Sequence, residues 1–224
     1  MMRKPVIAID GFSSTGKSSI SKAIAARLGL VHMDTGALYR AVTYYALHHC
    51  FNNEEIDFGC LISELPSINL EFRNISGTLV LFLNGQDITA EIREPEISGF
   101  VSLVAKQAEV RNYLLDLQRK GAAAGGIIMD GRDIGTVVLP DADYKFFLTA
   151  SVDERTNRRH LELTNQGVTI DKMAVRENLV TRDRIDSERE TAPLKKAADA
   201  ILIDNTDLNK EETISLITSY IKEF

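Results

Sequence analysis

Short apolar runs alternate with stretches of helical period along most of the chain. Pro5–Ile9 reads as a buried strand, mostly apolar and β-branched. Ile20, Ala23, Ile24 and Leu28 then recur at helical spacing, and Gly29 follows as a stop. A short strand over Leu30–Gly36 ends at Asp34-Thr35-Gly36, and a helix runs from near Ala37 to about Leu47. Helix returns at Pro95, with Ile97, Val101, Val104, Ala105 and Ala108 on one face. It is expected to continue towards Arg119 and close at Lys120-Gly121. Gly125–Asp130 is a buried strand ending in a carboxylate, Tyr144–Leu148 another, and Ala200–Ile203 the last. Asn209 with Glu212 reads as an N-cap and capping box, and Ile214, Ile217 and Ile221 stripe the terminal helix. This βα rhythm predicts an α/β protein built on a parallel sheet of about five strands.

One segment breaks the rhythm. Ile68, Leu70 and Phe72 alternate with polar residues, as do Leu79, Leu81 and Leu83, with Gly77 between the runs and Asn84-Gly85 as a turn. A small antiparallel meander is expected from about Pro66 to Glu91. It is too short to fold alone, so it reads as an insertion in a single domain.

The chemistry begins at Ile7–Ser19. A strand runs into Gly11, four residues follow, and Gly16-Lys17-Ser18 opens a helix, the spacing of a phosphate-cradling P-loop. Glycines let successive backbone N–H groups turn towards an anion, and the helix start adds positive potential. Lys17 brings a point charge to the outer phosphates, and the Ser18 hydroxyl is a natural oxygen ligand for Mg²⁺. Ligands of open α/β sheets sit beyond the carboxyl ends of the strands, which places Asp34, Thr35 and Arg40 near the loop's mouth. The strand ending at Asp130 resembles the carboxylate element that helps P-loop proteins hold Mg²⁺, with Arg132 and Asp133 beyond it placed for substrate.

Composition narrows the partners. The chain has 224 residues, enough for one domain with small insertions, and a formal charge of −6. No long basic tract is present, which disfavours nucleic acid and anionic membranes as partners. No apolar run approaches membrane-spanning length, and the start lacks a secretory hydrophobic region. Cys50 and Cys60 give no disulfide framework, so a cytoplasmic protein with reduced thiols is expected. His48, His49 and Cys50 are adjacent, but they face different sides of a helix and have no second ligand pair at zinc spacing.

Residues 151–190 hold seven arginines, Arg155, Arg158, Arg159, Arg176, Arg182, Arg184 and Arg189, against the single Lys172. Planar guanidinium forks suit bidentate phosphate contacts. Nine carboxylates share the stretch, so it is not a nucleic-acid surface. Arg176 and Arg184 fit solvated ion pairs, and the others fit a cover over transferring phosphates. A P-loop with scattered arginines suggests phosphoryl transfer from a nucleoside triphosphate, where positioning and positive charge supply most of the catalysis. An acceptor that is itself a phosphate monoester would need no general base.

The residues then resemble a known family. Ile-Asp-Gly11 with Gly16-Lys-Ser, Met33-Asp-Thr-Gly-Ala-Leu-Tyr-Arg40, Glu91-Ile-Arg, Asp130-Gly-Arg-Asp-Ile-Gly-Thr136, Glu154-Arg155, Arg182-Asp with Asp186 and Arg189, and Ala192-Pro-Leu194 are together similar to bacterial cytidylate kinases, over nearly the whole length. The resemblance implies a three-layer P-loop fold with an arginine-rich helical lid over 153–190 and a nucleotide-binding insertion over 66–94. It implies ATP as phosphoryl donor with Mg²⁺, CMP or dCMP as acceptor, and a monomer. Gly11, Phe12, Ser13, Ser14, Thr15, Gly16, Lys17, Ser18 and Ser19 would bind ATP, with Ser18 and Asp130 at the metal. Ser102, Arg111 and Asp133 would hold cytosine. Arg40, Arg132 and Arg189 would hold the acceptor phosphate, with Thr35 beside them, and Arg182 and Asp186 would meet the sugar. Cytosine's amino donor suits Asp133 or Ser102, and its N3 and O2 acceptors suit Arg111. Lys17, Arg132, Arg189 and the lid residues Arg155 and Arg159 would act at the transferring group.

Three positions depart from the family pattern. Phe12 stands where proline is usual, Ser14 where glycine is usual, and Thr35 where serine is frequent. A serine tolerates positive φ poorly, so the sequence leaves the loop's conformation at Ser14 open. Two other functions compete: a P-loop kinase for UMP or a non-nucleotide alcohol, and a nucleotide switch. The switch would want a guanine-reading Asn-Lys-x-Asp element, which Asn209-Lys210-Glu211-Glu212 does not supply.

Overall fold

Five strands of the computed structural model, which describes residues 3–75 and 78–222, lie side by side. In chain order the elements begin with β1 (Val6–Gly11), α1 (Lys17–Leu28), β2 (Val31–Asp34) and α2 (Thr35–His49). A two-stranded hairpin follows, β3 (Phe51–Asn52) and β4 (Glu55–Ile56), then α3 (Phe58–Glu64). The meander is β5 (Leu70–Ile75), β6 (Thr78–Leu83) and β7 (Gln86–Asp87). After it come α4 (Pro95–Lys106), α5 (Ala108–Ala122), β8 (Ile127–Gly131) and β9 (Tyr144–Thr149). The chain closes with α6 (Val152–Asn165), α7 (Lys172–Glu188), β10 (Ile201–Asp204) and α8 (Lys210–Ser219). The central sheet has the order β10-β9-β1-β8-β2. Parallel pairing sets Ile7 beside Ile128, Gly11 beside Leu148 and Ile203 beside Leu148. The carboxyl ends of β1, β8, β9 and β10 therefore share one edge, which is where the charged motifs stand.

The chain forms two compact units, one of Met1–His32 with Ala122–Phe224 and one of Met33–Gly121. In the first, Ile20 and Ile24 of α1 and Ile214 and Ile217 of α8 pack on Ile7, Ile9, Ile128, Phe146, Leu148 and Ile203 of the strands. Leu163, Val175 and Leu179 join α6 to α7 in a separate small cluster. The capping box at Asn209 and Glu212 and the left-handed Gly29 stop form as read. In the second unit, α2, α3, α4, α5 and the meander share one aliphatic core that includes Leu38, Val42, Leu61, Leu81, Val104 and Leu114. Asn84 and Gly85 turn β6 into β7 with φ of 48° and 83°, the two positive values a tight Asn-Gly hairpin needs. Gly77, read as the break between the meander's first two runs, lies outside the described residues.

Two expectations need correction. The helix foreseen from Pro95 to Arg119 is two helices, because Gln107 is extended with ψ 123°. The apolar period continues across the break, which hides it in the sequence. The Arg111 guanidinium donates to Ala105 O at 3.2 Å, satisfying a carbonyl at the end of α4. The second correction concerns the thiols, expected reduced: Cys50 and Cys60 form a disulfide. Cys50 caps α2, the β3–β4 hairpin reverses the chain through left-handed Asn53 and Glu54, and Asp57 N donates back to Cys50 O at 2.8 Å. That reversal brings α3, with Cys60, alongside.

Candidate active site

The phosphate loop leaves β1 at Gly11, whose φ of 147° is open to glycine. A Cβ there would lie 2.0 Å from Leu148 O, so the neighbouring strand forbids any side chain. Ser14 and Gly16 are left-handed, with φ of 60° and 87°. The conformation left open at Ser14 is thus the glycine-like one. The Thr15 hydroxyl donates to Phe12 O at 3.0 Å, and the Ser19 hydroxyl to Gly16 O at 3.0 Å. Lys17 is buried. Its ammonium donates to Phe12 O and stands 3.4 Å from the Thr15 hydroxyl. Burial, with the Arg132 charge nearby, holds its pKa well below the usual lysine range. An incoming polyphosphate would compensate that stranded charge.

Asp130, the last residue but one of β8, has one oxygen on each of two partners. Ser18 Oγ donates to Oδ2 at 2.7 Å, and His32 Nε2 lies 2.6 Å from Oδ1. A hydroxyl and a buried carboxylate so close form an oxygen set that suits Mg²⁺, which takes few protein ligands and fills its sphere with phosphate and water. Sequence reasoning passed over His32, whose only signal is its place two residues before Asp34. It also passed over Asp10. That buried carboxylate accepts from the N–H groups of Ile134 and Gly135, both at 2.7 Å, and pins the turn after β8 to the root of the loop. Burial pushes its pKa up to about 7, against the pull of those two N–H groups. A lone Asp inside an apolar strand was the available signal.

The arginines of this unit are tied into carboxylates. Arg132 Nε donates to Asp186 at 2.9 Å and its NH2 to Ser13 Oγ at 2.8 Å. Burial works against the Arg132 charge, but Asp186, Asp183 and Asp130 outweigh it and raise its pKa. Burial likewise opposes ionisation of Asp186, and Arg132, Arg189 and Arg182 more than offset it. Arg189 lies 3.5 Å from Asp133 and donates through Nε and NH2 to Ala192 O at 2.9 and 2.7 Å. Arg132, Asp133, Arg182, Asp186 and Arg189 thus gather in one buried network beside the loop. Arg155 is placed differently. It is buried, donates to Ala150 O at 3.0 Å and Ser13 O at 3.2 Å, pairs with Asp183, and lies over the Phe12 ring at 5.3 Å. Arg159 pairs with Glu162 at 2.8 Å on α6. Arg176 pairs with Asp153 at the surface.

The second unit carries the remaining candidates on three helices. Asp34 caps α2, accepting from Ala37 N at 3.3 Å, and Thr35 is buried at the helix start. One turn on, Arg40 donates to Ser98 Oγ of α4 at 3.0 Å. Ser102 is buried one turn further along α4, on the Ser98 face. The Arg111 guanidinium lies 5.2 Å from the Tyr39 ring centroid. Ser98 and Tyr39 were missed as site residues, though Tyr39 stands inside the quoted motif.

Likeness to other proteins covers both units. The chain matches the cytidylate kinase family profile over residues 7–223. It is 44% identical to a cytidylate kinase of Bacillus cereus over 221 residues, 99% of this chain and 97% of that one. A cytidylate kinase of Bacillus thuringiensis matches to the same extent. Among solved structures, an uncharacterized protein from Eubacterium ventriosum shares the fold with TM-score 0.51 at 14% identity, covering 97% of this chain and 98% of that one.

Proposed function

This chain belongs to the cytidylate kinase family, and on that premise we propose that it transfers the γ-phosphoryl group of ATP to CMP or dCMP, giving ADP and CDP or dCDP. The observation that carries the reading is the 44% identity over 99% of the chain, which spans the acceptor residues as well as the phosphate loop. The loop from Gly11 to Ser19 takes the triphosphate through its N–H groups, with Lys17 neutralising the outer phosphates. Ser18 and Asp130 would hold Mg²⁺, which supplies positive charge to the phosphate oxygens when bound.

On the acceptor side, Arg40, Arg132 and Arg189 hold the monophosphate, with Thr35 beside them. Arg182 and Asp186 meet the sugar. Ser102, Arg111 and Asp133 read the base, the carboxylate accepting from the amino group of cytosine and the guanidinium donating to its ring acceptors. An ionised acceptor phosphate needs no proton removed, so these side chains orient two anions and exclude water. Arg155, fixed over the Phe12 ring, shapes the loop, and Arg159 stands on the lid for the transferring group. The protein acts on small molecules in the cytoplasm, as a monomer. ADP release measured across CMP, dCMP, UMP, AMP and GMP tests the assignment. CMP and dCMP should lead by more than about tenfold, and turnover of AMP equal to that of CMP would overturn it.

A further inference from the structure

Ser14 adopts left-handed backbone, φ 60°, in the middle of the phosphate loop. That conformation is unfavourable for a residue with a Cβ and persists where surroundings over-determine it. The carbonyl on each side of Ser14 is tied down. Ser13 O accepts from Arg155 at 3.2 Å, and Thr15 O accepts from the side-chain amide of Asn205 at 2.9 Å. Asn205 follows β10 and is 1% exposed. Its own N–H donates to Thr149 O at 2.9 Å. Its Oδ1 accepts from Arg158 NH1 at 3.1 Å, and its backbone oxygen from Arg158 NH2 at 2.7 Å. The acceptor bond from Arg158 fixes which end of the amide faces Thr15. Arg158 pairs with Glu154 on the same helix at 2.8 Å, so the chain of contacts is anchored in α6.

In an anion-cradling loop the N–H groups turn inward, so outward carbonyls are the handles by which a neighbour can hold the shape. We infer that Asn205 is a positioning residue for the donor site. With Arg158 behind it, it fixes the Thr15 peptide and lets the loop hold its anion-binding form across a left-handed serine. The inference rests on the ATP-donor reading above. Where a glycine at position 14 would adopt this backbone unaided, the serine depends on the tie.

Isothermal titration of ATP and of CMP tests it. Asn205→Asp keeps the size and the acceptor for Arg158 but removes the N–H that reaches Thr15 O. Asn205→Ser removes the amide without burying a charge, should the carboxylate prevent folding. Either substitution should raise the ATP dissociation constant about tenfold and leave that of CMP within about twofold. In a Ser14→Gly background the same substitution should cost less than about threefold. ATP affinity unchanged in the folded variants, equal weakening of ATP and CMP, or an undiminished penalty beside Ser14→Gly would each overturn the inference. Wild-type protein that does not bind ATP would overturn the donor reading and this inference together.

Discussion

The two units set their charges among different partners. In the unit built on the parallel sheet, Asp133, Asp186 and Arg189 are buried and pair with one another and with Arg132, while the buried Lys17 and Asp130 are held by Phe12 O and by Ser18 and His32. In the unit of residues 33–121, Arg111 is buried and donates to Ala105 O, and Arg40 donates to Ser98 Oγ. A dense network suits a group that must meet a polyanion without reorganising. Hydrogen-bonding side chains on packed helices suit a site that discriminates one base from another. In the function proposed above, the first unit supplies the donor loop together with Arg132, Asp133, Arg182, Asp186 and Arg189 for the acceptor, and the second supplies Thr35, Arg40, Ser102 and Arg111.

The sharpest way to break that division is Lys17→Ala. Turnover should fall about a thousandfold, with CMP affinity within about threefold of wild type. Steady-state kinetics and CMP titration read both, and a comparable loss of CMP affinity would merge the two roles. Asp10 probes the dense network through pH. Its folded pKa of about 7 stands above the value of 3.8 for an ordinary aspartate. Folding therefore favours the protonated form, and the stability linked to this group is full below about pH 4 and lost as pH rises through about 7. Urea unfolding should show wild type losing roughly 4 kcal/mol relative to Asp10→Asn across that window, and a rising difference would contradict the burial argument.

Asp133→Ala should weaken CMP about fiftyfold while ATP affinity changes less than about threefold. If CMP affinity were unchanged, the base-recognition role would be wrong. The disulfide is confined to the second unit, where Cys50 and Cys60 close a short loop. Reduction should lower stability by roughly 2 kcal/mol in wild type and leave a Cys50→Ser, Cys60→Ser double variant unmoved in thermal unfolding. Equal responses would mean that the bond carries no stability.

Legibility divided by distance along the chain, not between the units. The phosphate loop, the strand carrying Asp130 and the charged helices α6 and α7 are local patterns, and one strand–loop–helix segment contains most of the loop's physics. The parallel sheet and the meander followed from periodicity alone. What escaped depends on partners distant in sequence. Gln107 breaks a helix whose apolar stripe never falters, because the Arg111 side chain caps the exposed carbonyl. The Cys50–Cys60 bond depends on a hairpin of two-residue strands, too short to show a period. Asp10, His32, Ser98 and Asn205 look like ordinary polar residues until their partners at Gly135, Asp130, Arg40 and Thr15 are in place. The departure at Ser14 was visible as a departure, but its left-handed backbone was not.

Product analysis tests the central claim most directly. Protein incubated with ATP, CMP and Mg²⁺ and resolved by ion-exchange chromatography should yield CDP and ADP in equal amounts. ADP formed without CDP, or neither product, would contradict phosphoryl transfer from ATP to CMP.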